Sequence, residues 1–174
     1  MPRLSSRPRD IQNAVMALTD EQLEIVAPVV TDSFTIDRSE WLRGVGAQRS
    51  ALLRLPLPSD SPRKDWFQDA DNNEDIDKRC CVGVYGQHLG FPDDKLANKG
   101  WPKREDGLTW PEWLMSTTLY HNQRPEAILS LANDQPVDTP EDYNDGVFIV
   151  SEEMREKLIA RIFRLNGVEV TFVN

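Results

Sequence analysis

The clearest pattern of apolar and polar positions lies at the C-terminus. Met154, Leu158, Ile162 and Leu165 recur at helical spacing, flanked by Ile159 and Phe163, and form one apolar stripe. Ser151 supplies an N-cap, Glu152 and Glu153 occupy the first turn, and Arg161 and Arg164 stand near the end, as the helix macrodipole prefers. Asn166-Gly167 closes the helix. Val168 to Val173 then alternates as a strand, with Val168, Val170 and Phe172 on one face. The N-terminal third carries weaker signals of the same kind. Ile11, Val15 and Leu18 mark one helical face, and Thr19-Asp20-Glu21-Gln22 reads as a capping box opening a second helix that Pro28 ends. Phe34-Thr35-Ile36 alternates as a half-buried strand.

Between these ends the pattern is shorter and more broken. Ser39 to Gly44 reads as a single helical turn with a capping serine and a closing glycine. Ser50 to Leu55 is apolar enough for a second strand, ended by Pro56 and Pro58. A short helix from about Cys80 to Gly90 follows a hydrophilic loop, and Pro92 to Leu96 predicts one more helical turn. On a helical wheel Cys81, Val84, Tyr85 and His88 share a face, while Gly83 and Gly86 lie opposite and allow a neighbour to approach closely. Residues 100–126, rich in tryptophan and proline, read as an irregular cover over a core, and Asn133-Asp134 reads as a loop. The predicted fold is α+β: a small antiparallel or mixed sheet with packed helices and long irregular loops. Residues 1–30 form a helical, partly disordered N-terminal extension, and 31–174 form a single α+β domain. The C-terminal strand is expected beside Phe34–Ile36, Ile162 in the core, and removal of residues 1–18 of little consequence to stability.

Composition narrows the function. The chain has 174 residues, a mean hydropathy of -0.53 and a net charge of -9. No apolar run approaches the roughly 20 residues of a membrane helix, and no basic stripe is available to neutralise phosphates. These features predict a cytoplasmic protein with no direct contact to nucleic acid or membrane. Seven acids lie between Asp60 and Asp77, and eight between Asp134 and Glu156. Such segments steer a protein towards a basic partner. Asp69, Asp71 and Asp75, with Trp110 and Trp113 as aromatic anchors, are the candidate binding residues. Homo-oligomerisation is left open.

Candidate chemistry centres on the two cysteines. A thiol at a helix N-terminus faces unpaired N–H groups, which lower its pKa, so Cys81 is the candidate nucleophile. His88, seven residues on, stands about 10 Å further along the axis and cannot serve it. His121 is the other histidine and hence the candidate base. Cysteines and histidines lack zinc-ligand spacing, and Asp69 to Asp77 matches only half of a calcium loop, with Glu74 where the glycine belongs. No metal and no cofactor is expected.

Two resemblances add to this reading. The blocks Ile36–Gly44, Arg79–Tyr85, Leu131–Asp134, Met154–Ile159 and Gly167–Val173 together resemble a family of small phage and prophage proteins, over roughly residues 31–174. That resemblance implies a phage or prophage setting, in a host bacterial cell, and no mechanism. Cys81-Val82-Gly83-Val84-Tyr85 through Leu89-Gly90-Phe91 is similar to the nucleophile helix of NlpC-type cysteine peptidases. Those peptidases carry a histidine at the start of a following strand, and the strand-like run at 145–150 has none. The function expected first is therefore a phage accessory protein that binds a protein partner, for example as an acidic inhibitor of a host nucleic-acid enzyme. The alternative is a cysteine hydrolase or transferase using Cys81 and His121.

Overall fold

The computed structural model describes residues 8–44, 50–62, 75–103, 109–116, 124–135, 149 and 151–174. Two helices, α1 (Pro8–Ala17) and α2 (Asp20–Val26), lead into strand β1 (Asp32–Asp37). The middle of the chain supplies α3 (Cys81–His88), α4 (Asp93–Leu96), α5 (Glu112–Met115) and α6 (Pro125–Asp134). Helix α7 (Glu152–Arg164) and strand β2 (Val168–Val173) complete it.

Local signals set most of these boundaries. The Thr19 hydroxyl accepts the Gln22 N–H at 3.1 Å, and the Gln22 side chain accepts the Thr19 N–H at 2.8 Å. The capping box is thus complete. Ser151 caps α7 through the Met154 N–H at 3.1 Å. Gly167, at φ +78°, reverses the chain from α7 into β2 in a conformation that side chains disfavour. The stripe on α7 is buried at Leu158 and Ile162, together with Ile159 and Phe163.

The sheet corrects the expected one. β1 and β2 do pair, with Phe34 opposite Val170 and Ile36 opposite Phe172, but they run parallel, and no third strand joins them among the described residues. An antiparallel or mixed sheet is what hairpin-linked strands build. Here most of the chain separates the two strands, and such a crossover permits parallel pairing. Two further expectations change. Ser39 caps no helix, because its N–H and hydroxyl both donate to Asp37 Oδ1, at 2.9 and 2.7 Å, in a turn. The segment 50–55 is extended but irregular. It is hydrogen-bonded on one side through Cys80 N–H to Ala51 O (3.2 Å) and on the other through Leu52 N–H to Lys99 O (2.7 Å).

Helix α6 was missed altogether, although Pro125 at its first position, Glu126 in its first turn and apolar Ile128, Leu129 and Ala132 were readable signals. It packs between α3 and α7 and contributes Ile128, Leu129 and Ala132 to the core. Helix α1 joins the same core through Ile11 and Val15, and the Gln12 side chain donates to Ile128 O. Arg161 fixes it further. Its guanidinium donates to the carbonyls of Val15, Met16 and Leu18 and to Asp20 Oδ1. Those carbonyls end a helix with no base in its own last turn.

Urea melts should accordingly show two losses. Ile162→Ala empties a buried aliphatic site and costs about 2–5 kcal/mol. Deletion of residues 1–18 costs no less, because it removes Ile11 and Val15 and strands a buried guanidinium. A deletion that leaves the midpoint unchanged would contradict this packing.

Candidate functional site

The N-terminus of α3 holds the residues that the sequence singles out for chemistry. Cys80 is its N-cap, and its Sγ accepts the Gly83 N–H at 3.4 Å. Cys81 opens the helix and donates its N–H to Asn133 Oδ1 at 3.0 Å. The same oxygen accepts Trp41 Nε1–H at 2.7 Å. Asn133 Nδ2 donates to Leu42 O at 3.0 Å and to Asp134 Oδ1 at 2.9 Å. A carboxamide offers two lone pairs and two protons, and here all four are used. Asn133 and Asp134 therefore end helix α6 rather than lie in a loop, and they do so as a buried junction. The backbone carbonyl of Asn133 accepts from Gly44 N–H at 3.0 Å and from the Arg155 guanidinium, while Asp134 Oδ2 accepts the Ser50 N–H at 3.1 Å.

The environment of the thiols reverses the expected pKa direction. Both are buried, with Cys81 at 0% exposure. Burial pushes the Cys80 thiol up to about 12, with Asp134 adding to the rise and the Gly83 and Val82 N–H groups opposing it. Burial likewise pushes Cys81 well up, helped by Cys80 and Asp134 and opposed by the Val82 N–H and Arg155. The position at a helix start was read correctly, but desolvation outweighs the N–H groups. Cys81 Sγ directs its proton towards Leu129 O, 3.9 Å away. Gly83 explains how deep this helix sits: a Cβ there would collide with the Leu52 carbonyl. Gly86 is similarly close to the Trp110 ring, 2.6 Å from where a Cβ would stand. Arranged this way, the cysteines serve as cap and core, with no thiolate to attack a substrate.

The remaining candidates separate. His121, Asp69 and Asp71 lie outside the described residues, as does the run 145–148. Asp75 pairs with Lys78 at 3.0 Å. Trp110 is buried edge-on against Phe91 at 4.5 Å, and Trp113 packs on Tyr85 and Phe163, so both rings face the core. Among the described residues Trp101 is the most exposed tryptophan, 42% exposed, with Lys103 above its ring.

Sequence reasoning missed one polar constellation. His88 Nε2 lies 2.7 Å from Asp32 Oδ1, and Tyr85 donates to Asp32 Oδ2 at 3.3 Å. The His88 ring stacks on Phe34 and the Tyr85 ring packs against it at a tilt, so the end of α3 is clasped to the start of β1. Burial raises the Asp32 carboxyl, but the His88 hydrogen bond and charge, with Ser33 N–H and Tyr85, leave it below the usual range. Burial also raises the Tyr85 phenol, to about 12. No spacing rule links residues 32 and 88, and only the fold brings them together. Where both strands end, a crevice of about 280 Å³ lies between Asp37, Val173 and the side of α3 at Val84 and Gln87, with Arg79 and Glu40 at its rim.

Among the described residues, no three His, Cys, Asp or Glu side chains are placed to hold a metal ion, and no helix is long and apolar enough to cross a membrane. No family model, no curated protein and no solved structure matches this chain.

Two measurements test the junction. Asn133→Ala leaves Trp41 Nε1–H, Cys81 N–H and Leu42 O without partners. At roughly 1–3 kcal/mol per buried orphan, it should lower stability by at least about 3 kcal/mol. Thiol alkylation of the folded protein should be negligible at pH 8 and should appear only on denaturation, when the thiols return to their ordinary pKa of about 8.5. The sign for stability follows. A raised folded pKa contributes stability that is fully present below about pH 8.5 and is lost as pH climbs towards about 12. Rapid alkylation of the native chain near neutrality would overturn the buried-thiol assignment.

Proposed function

We propose that this chain is a phage or prophage accessory protein that acts by binding a basic protein partner, such as a nucleic-acid enzyme of the host. The observation that carries the reading is the distribution of charge left over after folding. The exposed carboxylates of Glu21, Glu40, Asp60, Asp94, Glu112, Glu153 and Glu169 have no ion-pair or hydrogen-bond partner among the described residues. Several cations are instead consumed internally: Arg155 and Arg161 lie buried against backbone carbonyls, and Arg38 holds Glu156 in a two-point pair at 2.6 and 2.8 Å. Each of these cations also neutralises one carboxylate, Arg155 with Glu152 and Arg161 with Asp20, so the unpaired acids carry the negative charge that the surface presents. Unpaired surface carboxylates accelerate encounter with a basic surface and fix its orientation. The phage setting rests on the resemblance of the blocks between Ile36 and Val173. The cysteine-enzyme alternative gains no support from thiols held protonated in the core.

Affinity capture from a bacterial host lysate tests this reading. A basic protein should be retained at about 50 mM salt and released by about 0.5 M, where surface charges are screened within a few ångströms. Neutralising Glu40, Asp94 and Glu153 together to the amides should weaken that retention several-fold without altering the urea midpoint. Retention that is insensitive to salt and to these substitutions would refute it.

A further inference from the structure

Four of the five exposed large apolar side chains among the described residues fall within six positions: Ile25 (76% exposed), Val26, Val29 (83%) and Val30. Such clustering is uncommon, since exposed apolar residues on monomers are normally scattered singly. The four lie on the last turn of α2 and the extended connection to β1. This connection is held from behind. Ala27 N–H donates to Leu23 O at 2.8 Å, Arg164 Nη1 to Pro28 O at 2.6 Å, and Thr31 N–H to Gly167 O at 2.9 Å. The end of α7 and the turn into β2 therefore fix the backbone of the ledge while its side chains face water. A surface ordered before binding loses little further entropy on association.

We infer that this ledge is the centre of a two-fold interface with a second copy of this chain. Charge decides the occupant. A net charge of -9 opposes self-association over most of the surface, and a basic partner is drawn to unpaired carboxylates. Around the ledge the charges are nearly balanced. Asp20 pairs with Arg161 at 2.5 Å, and Glu24 forms a two-point pair with Arg164 at 2.6 and 3.1 Å. Lys157 and Glu169 line a cleft with Leu23 of α2, and Glu21 stands on the same helix four positions before Ile25. Four acids against three cations leave this face close to neutral, so it repels a copy of itself little, although Glu21 and Glu169 stay among the unpaired carboxylates. A two-fold operator places the same apolar patch on both sides, the commonest way a soluble chain closes its contacts. A standard interface buries about 800 Å² per partner, so the four side chains serve as its apolar centre inside a polar rim.

Sedimentation and light scattering of the full chain from about 1 to 100 µM test the inference. The mass should rise from 19.9 kDa towards twice that value with concentration. The double variant Ile25→Ser, Val29→Ser should dissociate at least about 10-fold more readily while keeping its urea midpoint, because both side chains are already in water. A wild-type mass of one chain throughout, or a dimer that the double variant leaves intact, would overturn the interface. A photo-crosslinker at Val29 that captures only a different protein would overturn it too. The double variant should still capture a basic partner in the salt experiment, so failure of the dimer and failure of the proposed function read out separately.

Discussion

A carboxamide can sit in a protein interior only where its two acceptor and two donor positions are all met, and Asn133 meets that condition with four distinct groups. Its partners come from the segment Trp41–Leu42, from the first turn of α3 and from its own neighbour Asp134. Its backbone carbonyl adds Gly44 and, through Arg155, α7. Each bond is ordinary, but the set is selective, since a shift of one segment would leave at least two buried polar groups without partners. Gly44 belongs to the same constraint. A side chain there would collide with the backbone of Asp134, so the loop can close on α6 only with glycine at that position.

Helix α7 carries the second constraint. Arg155 and Arg161 both turn inward and both end on the carbonyl terminus of another helix: Arg155 on Ala132 and Asn133 of α6, Arg161 on Val15 and Met16 of α1. Neither helix has a base in its own last turn. A guanidinium presents several donors in a rigid fork, which suits a set of converging carbonyls better than a lysine would. Burial pulls Arg155 below its usual pKa, while Glu152 and Asp134 pull it back. The two arginines differ by six positions and so leave α7 on different sides, which lets one helix organise the C-terminal ends of two others.

What the sequence revealed and what it hid divide along the distance between interacting residues. The Thr19–Gln22 capping box, the Ser151 cap, the Gly167 turn and the stripe through Leu158 and Ile162 all involve neighbours three or four positions apart, and each formed as read. The pairing of β1 with β2 was also readable, because each strand has one apolar face and no nearer partner. Its parallel sense was not, since period-two alternation is identical in either direction. Asn133 and Asp134 looked like a loop because Asn and Asp favour loops, and only Trp41, Leu42 and Cys81, all remote in sequence, reveal them as a junction. Ser39 failed as a cap for a local reason: Asp37, two positions earlier, competes for its N–H and its hydroxyl.

The cysteines show why the type of residue is a poor guide to the chemistry of a site. A helix start has free N–H groups that any small acceptor can satisfy, and serine is the usual choice. At a fully buried cap, however, a serine hydroxyl would bring its own proton and need an acceptor for it. A thiol accepts weakly from Gly83, tolerates burial as a small apolar group and requires little in return. Gly83 presses α3 against the Leu52 backbone so closely that the cap cannot be hydrated. The same close approach that excludes water from Cys80 and Cys81 raises their pKa values, so depth of packing suits them to a cap and denies them the thiolate a nucleophile needs.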